Sequence, residues 1–316
     1  MTDQPLVSVL VLTRDRPEMV ARCLRSLTLS DYSRVEVLVY DNGSERAGAA
    51  LADEIAGLGE RPSVRLVRAR PAGFAEMRRR AVALSRGEIV MSLDDDCLAA
   101  PDAVGRVVRR FAEEPDVGIV GGRIVNVGFE GADRLKGRGR IGRNGRYEPV
   151  EDPAKAEVFG SANMSFRRRA YDEAGGYDPF FRDGLEEADL TLAVRERGWR
   201  VVYEPAVEIT HHHCPQRFRE RWSNLDLMRL YLLFKHRPPA DTAGWRAFVV
   251  DERAILTEQW RALRRRSAER RAAAVRPAAV LRATALGGFE ALKLLLARAA
   301  VPWLWLRARR VREGLG

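Results

Sequence analysis

The segment EIVMSLDDDC (88–97) runs Ile89, Val90, Met91 and Leu93, which read as a buried strand, into three consecutive carboxylates, Asp94, Asp95 and Asp96. Like charges crowded at a strand end favour a hard divalent cation. Alternate residues of an extended chain share a face, so Asp94 and Asp96 point together. One could hold a ribose hydroxyl and the other a metal that grips a diphosphate as leaving group. The competing reading is a solvated acidic turn ahead of a helix from Pro101. A second acidic group, Glu186, Glu187 and Asp189, opens LEEADLTLAVRERGW (185–199). The helix dipole alone favours acids in such a first turn. His211, His212 and His213 end RVVYEPAVEITHHH, which by itself reads as a packed or solvated strand end.

These residues need elements to hold them. LVSVLVL (6–12) is a continuous apolar run, as in a strand buried on both faces. A helix opens at Pro17, with Met19, Val20, Cys23, Leu24 and Leu27 at helical spacing. Further strands are expected at 35–40, 64–68 and 117–125, and helices near 47–57, 73–85, 101–113 and 185–199. The alternation predicts an α/β fold, a mostly parallel, Rossmann-like sheet flanked by helices. Such sheets bind ligands at the carboxyl ends of their strands. That places TRDRP after the first strand, DNGS after the second and DDD after the fourth in one crevice. Residues 131–146, rich in Gly and Arg without apolar periodicity, read as a loop, either a solvated excursion or a flap over an anionic ligand.

A chain of 316 residues that is 46% hydrophobic can bury a sizeable core. Three scattered cysteines, Cys23, Cys97 and Cys214, suggest neither a disulfide framework nor a zinc site and point to a reducing compartment. The start, MTDQPLVSVLVL, lacks the basic stretch of a signal peptide. The net charge of +10 is uneven: residues 244–316 hold 16 basic and 6 acidic side chains, and the rest is neutral.

The ordered set VSVLVLTRDRPEMVARCLRSL, VEVLVYDNGS, GFAEMRRRAVALSRGEIVMSLDDDC, GSANMSFRRRAYDEAGGYD and EEADLTLAVRERGWRVVYEPAVEITHHH resembles the family 2 glycosyltransferases of the GT-A fold over roughly residues 5–215. The resemblance implies an inverting, Mn2+- or Mg2+-dependent transfer of sugar from a nucleotide-sugar donor, UDP or dTDP in preference to GDP, to an acceptor hydroxyl. It puts Thr13, Arg14, Asp41, Gly73, Arg78, Asp94 and Asp95 at the nucleotide, and Asp96, Asp94 and His211 at the metal. Asn163 borders the donor sugar, and Glu187 acts as base, with Glu186 and Asp189 beside it. Pro71 and Arg79 stand where the family pattern has asparagines, and Glu187 where it has aspartate. A catalytically inactive GT-A module that binds a nucleotide sugar is the alternative. A nucleotidyltransferase is disfavoured, because TRDRPE has no glycine for a phosphate loop.

The expected organisation is a catalytic domain over 1–215 and a helical, basic region over 216–316. Within the latter, 287–301 puts Phe289, Leu292, Leu295, Leu296 and Ala299 on one helical face, and WLWLRARRVR follows Pro302. This pattern suits an interfacial helix on an anionic membrane surface; packing on the domain or on a second copy, as a homo-oligomer, is the alternative, and nucleic acid is not expected. The location that follows is cytoplasmic, peripheral at the inner face of the membrane. The acceptor stays open among a lipid-linked glycan, a cell-wall polymer, a protein and a secondary metabolite.

Overall fold

The computed structural model describes residues 4–59, 61–130, 135–182, 184–212, 222–272, 292 and 294–314. They form two compact units: Met1–Ile141 with Tyr147–Arg217, and Gly142–Arg146 with Phe218–Gly316.

The first unit opens with β1 (Val7–Thr13), α1 (Pro17–Leu27), β2 (Val35–Asp41), α2 (Glu45–Ala56), β3 (Ser63–Arg68), α3 (Phe74–Leu84) and β4 (Ile89–Asp94). After β4 come β5 (Cys97–Ala99), α4 (Ala103–Glu113) and β6 (Val117–Asn126). Next are β7 (Leu135–Lys136), β8 (Arg138–Ile141), β9 (Tyr147–Pro149), β10 (Val158–Phe159), β11 (Asn163–Arg167), α5 (Arg168–Glu173), α6 (Glu186–Glu196) and β12 (Arg200–His211). The main sheet runs β3-β2-β1-β4-β11-β6-β12-β5, and β7 pairs with β6. The first four strands are parallel, β11 is antiparallel to both neighbours, and β6 and β12 are again parallel. This is the GT-A arrangement of a mostly parallel sheet between helices. Val7, Val9 and Val11 of β1 are fully buried, as an apolar run covered on both faces must be. On α1, Val20, Cys23, Leu24 and Leu27 pack into the same core.

Two sheet registers build the site. The strand order turns between β1 and β4, so the chain diverges there and leaves a crevice beyond the strand ends. There Leu12 lies opposite Asp94. On the other flank, His211 is paired with Asn126 of β6 and with Cys97 of β5.

The expected loop at 131–146 is corrected in part. Residues 138–141 are a strand, part of a small sheet β10-β8-β9. No alternation was visible because glycines take inward places: a Cβ on Gly139 would sit 2.4 Å from the Tyr147 ring. Residues 131–134 lie outside the described ones.

The second unit contains α7 (Trp222–His236), α8 (Thr242–Ala272) and α9 (Val301–Arg312), with 294–299 also helical. Leu230, Tyr231, Leu232, Leu233 and Phe234 are all buried, so α7 is its core helix. Pro302 falls in the first turn of α9, where its missing N–H is harmless.

Candidate active site

Acids at the end of β4 need partners, and sheet register supplies them from three directions. Thr13, last in β1, donates through Oγ1 to Asp95 at 2.8 Å. Arg16, in the turn before α1, donates through Nη1 to Asp95 at 2.8 Å and to Asp96 at 3.1 Å. His211, last in β12, holds Nε2 3.2 Å from Asp96. Its Nδ1 lies 2.8 Å from the carboxamide oxygen of Asn126. Asn126 therefore keeps a proton on Nδ1 and leaves Nε2 facing Asp96, a donor when the ring is charged and a potential ligand when it is neutral.

Burial pushes Asp95 up to about 6, and Arg16 and Thr13 only partly oppose it. For Asp96 burial acts in the same direction, but the hydrogen bond and charge of His211, then Arg16, prevail and hold it below its ordinary range. Burial would lower His211; Asp96 outweighs that and raises it. Asp94 differs: its side chain is 35% exposed and its nearest cation is Arg78, at 3.4 Å.

Among the described residues, Asp96, Cys97 and His211 form the group whose ligand atoms lie within 4.8 Å of one another. Burial raises the Cys97 thiol well above its ordinary value, and a hard divalent ion prefers oxygen and imidazole donors to sulfur. The usable donors are thus a carboxylate and an imidazole. Their 3.2 Å separation suits neighbouring ligands of one ion, roughly 3 Å apart in octahedral geometry. Asp94, also expected at the metal, falls outside this group and faces Arg78.

Arg78, buried on α3, reaches three ways. It donates to Glu186 at 3.1 Å, to Ser92, and to Asp94. One guanidinium thus links the end of β4 to the first turn of α6. Leu185 precedes that turn with φ 67, a left-handed backbone unusual for a branched residue. Glu186 and Asp189 are buried and Glu187 is half-buried. Glu186 Oε2 has no hydrogen-bond partner among the described residues. Burial, then the charge of Glu186, raises the Glu187 carboxyl well above the carboxylate range. A hydroxyl group placed here would meet a carboxyl that is a strong base once ionised.

The other expected residues are placed as follows. Asp41 is buried, accepts from Gly43 N–H at 2.8 Å and pairs with Arg68 at 3.1 Å. Arg14 is mostly exposed, 3.9 Å from Asp15. Gly73 caps α3, and a Cβ there would meet the Arg182 backbone at 2.7 Å, so close packing requires glycine. Asn163 is buried within the sheet, and its amide donates to the carbonyls of Arg123 and Val207, both at 3.0 Å. It bridges β6 and the irregular register of β12, while its Oδ1 has no partner among the described residues. His213 lies outside the described residues. Sequence reading missed Arg16 and Asn126. The signal for Arg16 was its place in the TRDRP cluster; for Asn126 it was the last position of a strand that must end beside another.

A family model described as Glycosyl transferase family 2 matches residues 8–175. A protein of Sinorhizobium fredii is 32% identical over 70% of this chain, which spans 26% of that protein's length. The glucosyl-dolichyl phosphate glucuronosyltransferase of Haloferax volcanii is 26% identical over 68% of this chain and 72% of its own. Among solved structures, a mannosyltransferase from Pyrobaculum calidifontis in complex with GDP-Man and Mn2+ superposes with a TM-score of 0.55. It is 20% identical, over 96% of this chain and 88% of that one, a likeness of fold.

Proposed function

We propose that this chain, which belongs to glycosyl transferase family 2, is an inverting glycosyltransferase that moves a sugar from a nucleotide-sugar donor to an acceptor hydroxyl. The observation that carries this reading is the Arg78 bridge, which ties the Asp94 strand end to the acidic turn of α6. A donor-binding end and a proton-accepting end are thereby fixed to one buried side chain.

The donor is a sugar on a pyrimidine diphosphate, UDP or dTDP in preference to GDP. Thr13, Arg14, Asp41, Asp94 and Asp95 border the nucleotide, and Asn163, buried between β6 and β12, positions these strands on the sugar side. Arg78, Gly73 and Glu186 shape the crevice. Asp96 and His211 would hold Mn2+ or Mg2+, and their donor set fits such an ion. When bound, the ion stabilises negative charge on the departing diphosphate. The Mn2+ in the Pyrobaculum complex supports this assignment.

Glu187 takes the proton of the acceptor hydroxyl, which attacks the anomeric carbon from the face opposite the diphosphate and inverts its configuration. Glu186 and Asp189 fix the turn that presents it. The tie of this acidic turn to the strand-end acids through Arg78 favours an enzyme over an inactive binding module. The acceptor class we favour is a lipid-linked glycan, by likeness to the dolichyl-phosphate-directed relative.

A panel of nucleotide sugars tested by thermal shift with Mn2+ checks this reading, since bound ligand raises stability by mass action. At least one donor should stabilise the protein only with the ion present, and Asp96→Asn should abolish that dependence. Donor stabilisation that ignores both the ion and Asp96→Asn would overturn the metal assignment. Glycosyl transfer absent with every donor and acceptor class would favour the binding module.

A further inference from the structure

In the second unit the chain 294–299 passes into α9 through Ala300, which keeps right-handed helical dihedrals. The hydrogen bonds Ala300 N to Leu296 O (3.0 Å) and Leu304 N to Ala300 O (2.9 Å) carry the helical turn across. One helical period therefore describes the whole stretch. Leu294, Ala297, Leu304 and Ala308 are buried on one side. Leu292, Leu295, Leu296, Trp303 and Leu306 are 51–56% exposed. At 3.6 residues per turn these five fall within an arc of about 100°, opposite the buried four.

The expectation of an apolar face at Leu292, Leu295, Leu296 and Ala299 thus describes the outward face; Phe289 lies outside the described residues. The packing face uses Leu294 and Ala297 instead. Outward apolar stripes on a soluble unit mark interaction surfaces.

Charge selects the occupant. Arg310 continues the exposed stripe one turn beyond Leu306, and Arg307 flanks it with its guanidinium 6.0 Å from the Trp303 ring centre. Within Val301–Arg312 there are four arginines and no acid. A second copy meeting this face would set these arginines on arginines when parallel and on leucines when antiparallel, so they would meet no anion on it in either case. A bilayer with anionic headgroups gives the leucines hydrocarbon, Trp303 the interface and the arginines phosphate. No helix among the described residues is long and apolar enough to cross a membrane.

We infer that the face formed by Leu292, Leu295, Leu296, Trp303 and Leu306 lies in the surface of an anionic bilayer, with Arg307 and Arg310 on its phosphates. Such docking is independent of glycosyl transfer, and a chain held there meets lipid-linked acceptors in two dimensions.

The test is sedimentation of the full chain with phosphatidylcholine vesicles, with and without phosphatidylglycerol. The side chains concerned are exposed, so the triple variant Leu295→Ser, Leu296→Ser and Trp303→Ser should keep its circular dichroism and melting temperature. Expected is binding to the phosphatidylglycerol vesicles that falls with salt, and at least ten-fold weaker binding by the variant. A further variant, Arg307→Gln with Arg310→Gln, should weaken binding to anionic vesicles and spare any residual binding to neutral ones. Absence of vesicle binding at low salt overturns the inference. So does equal binding by the triple variant, or a wild-type dimer in light scattering that the triple variant dissolves while vesicles are ignored.

Discussion

In the second unit, Asp226 and Glu252 are each held by two guanidinium groups. Arg229 donates to Asp226 at 2.9 Å and to Glu252 at 2.8 Å; Arg298 pairs with Asp226 and lies 3.4 Å from Glu252. Gln259 closes the ring, 3.3 Å from Asp226 and 2.9 Å from Arg298. Two acids meet two bases and the charge is balanced. In the first unit, Asp94, Asp95, Asp96, Glu186 and Glu187 are met by Arg16, Arg78 and His211. There negative charge is in excess, Asp94 is a third exposed, and Glu187 is half-buried with a raised pKa. A balanced cluster serves as a fastener between helices. An acid-rich one at the strand ends keeps capacity for a cation and for a proton.

The contrast should appear when each cluster loses one member. The largest effect expected is at Glu187: Glu187→Gln retains size but cannot take a proton, and transfer should fall by about 10²–10⁴-fold with donor affinity nearly kept. Single-turnover rates beside donor titrations check this. Activity that survives in Glu187→Gln and dies in Asp189→Asn would move the base to Asp189.

In the balanced cluster the loss should be one of stability. Arg298→Met leaves Asp226 and Glu252 with Arg229 alone, and unfolding by denaturant should show the second unit destabilised by about 3 kcal/mol, the lower end for breaking a buried pair. Donor affinity should not change. The reverse pattern would mean that this cluster is not merely a fastener.

Asn126→Ala frees the His211 ring without touching the carboxylates. Its expected cost is about 10–100-fold in Mn2+ affinity, the range for a partner that orients a ligand. Calorimetric titration of Mn2+ measures it, and an unchanged affinity would remove His211 from the metal shell.

The smallest effect is on pH. As the proposed base, Glu187 would have to be ionised and its pKa is raised, so transfer should climb with pH through a limb above the ordinary carboxylate range. Glu186→Gln removes the neighbouring negative charge, the second cause of that rise after burial. Its limb should therefore move to lower pH, and a pH–rate profile of wild type and variant reads the difference. A limb that stays in place would mean that burial alone sets the base.

Much of this was legible in the chain itself. Apolar runs such as LVSVLVL and VEVLVY are long enough and free enough of charge that both faces must be covered, which implies parallel strands and helical layers. Strand ends then bring TRDRP and DDD together without any coordinate. Helical period also marked the stripe at Leu292, Leu295 and Leu296, because spacing is a local property. Spacing does not say which side of a helix packs: a stripe of leucines reads the same toward a core or toward a bilayer. Only the fold turned Leu294 and Ala297 inward and left that stripe exposed. Pairing partners were equally beyond the sequence. Arg16 is one of several arginines in its turn, and Asn126 ends a strand 85 positions from His211. Which cation answers which carboxylate is set by strand register and backbone direction in three dimensions, and these place Arg78 between Asp94 and Glu186 across 108 residues of chain.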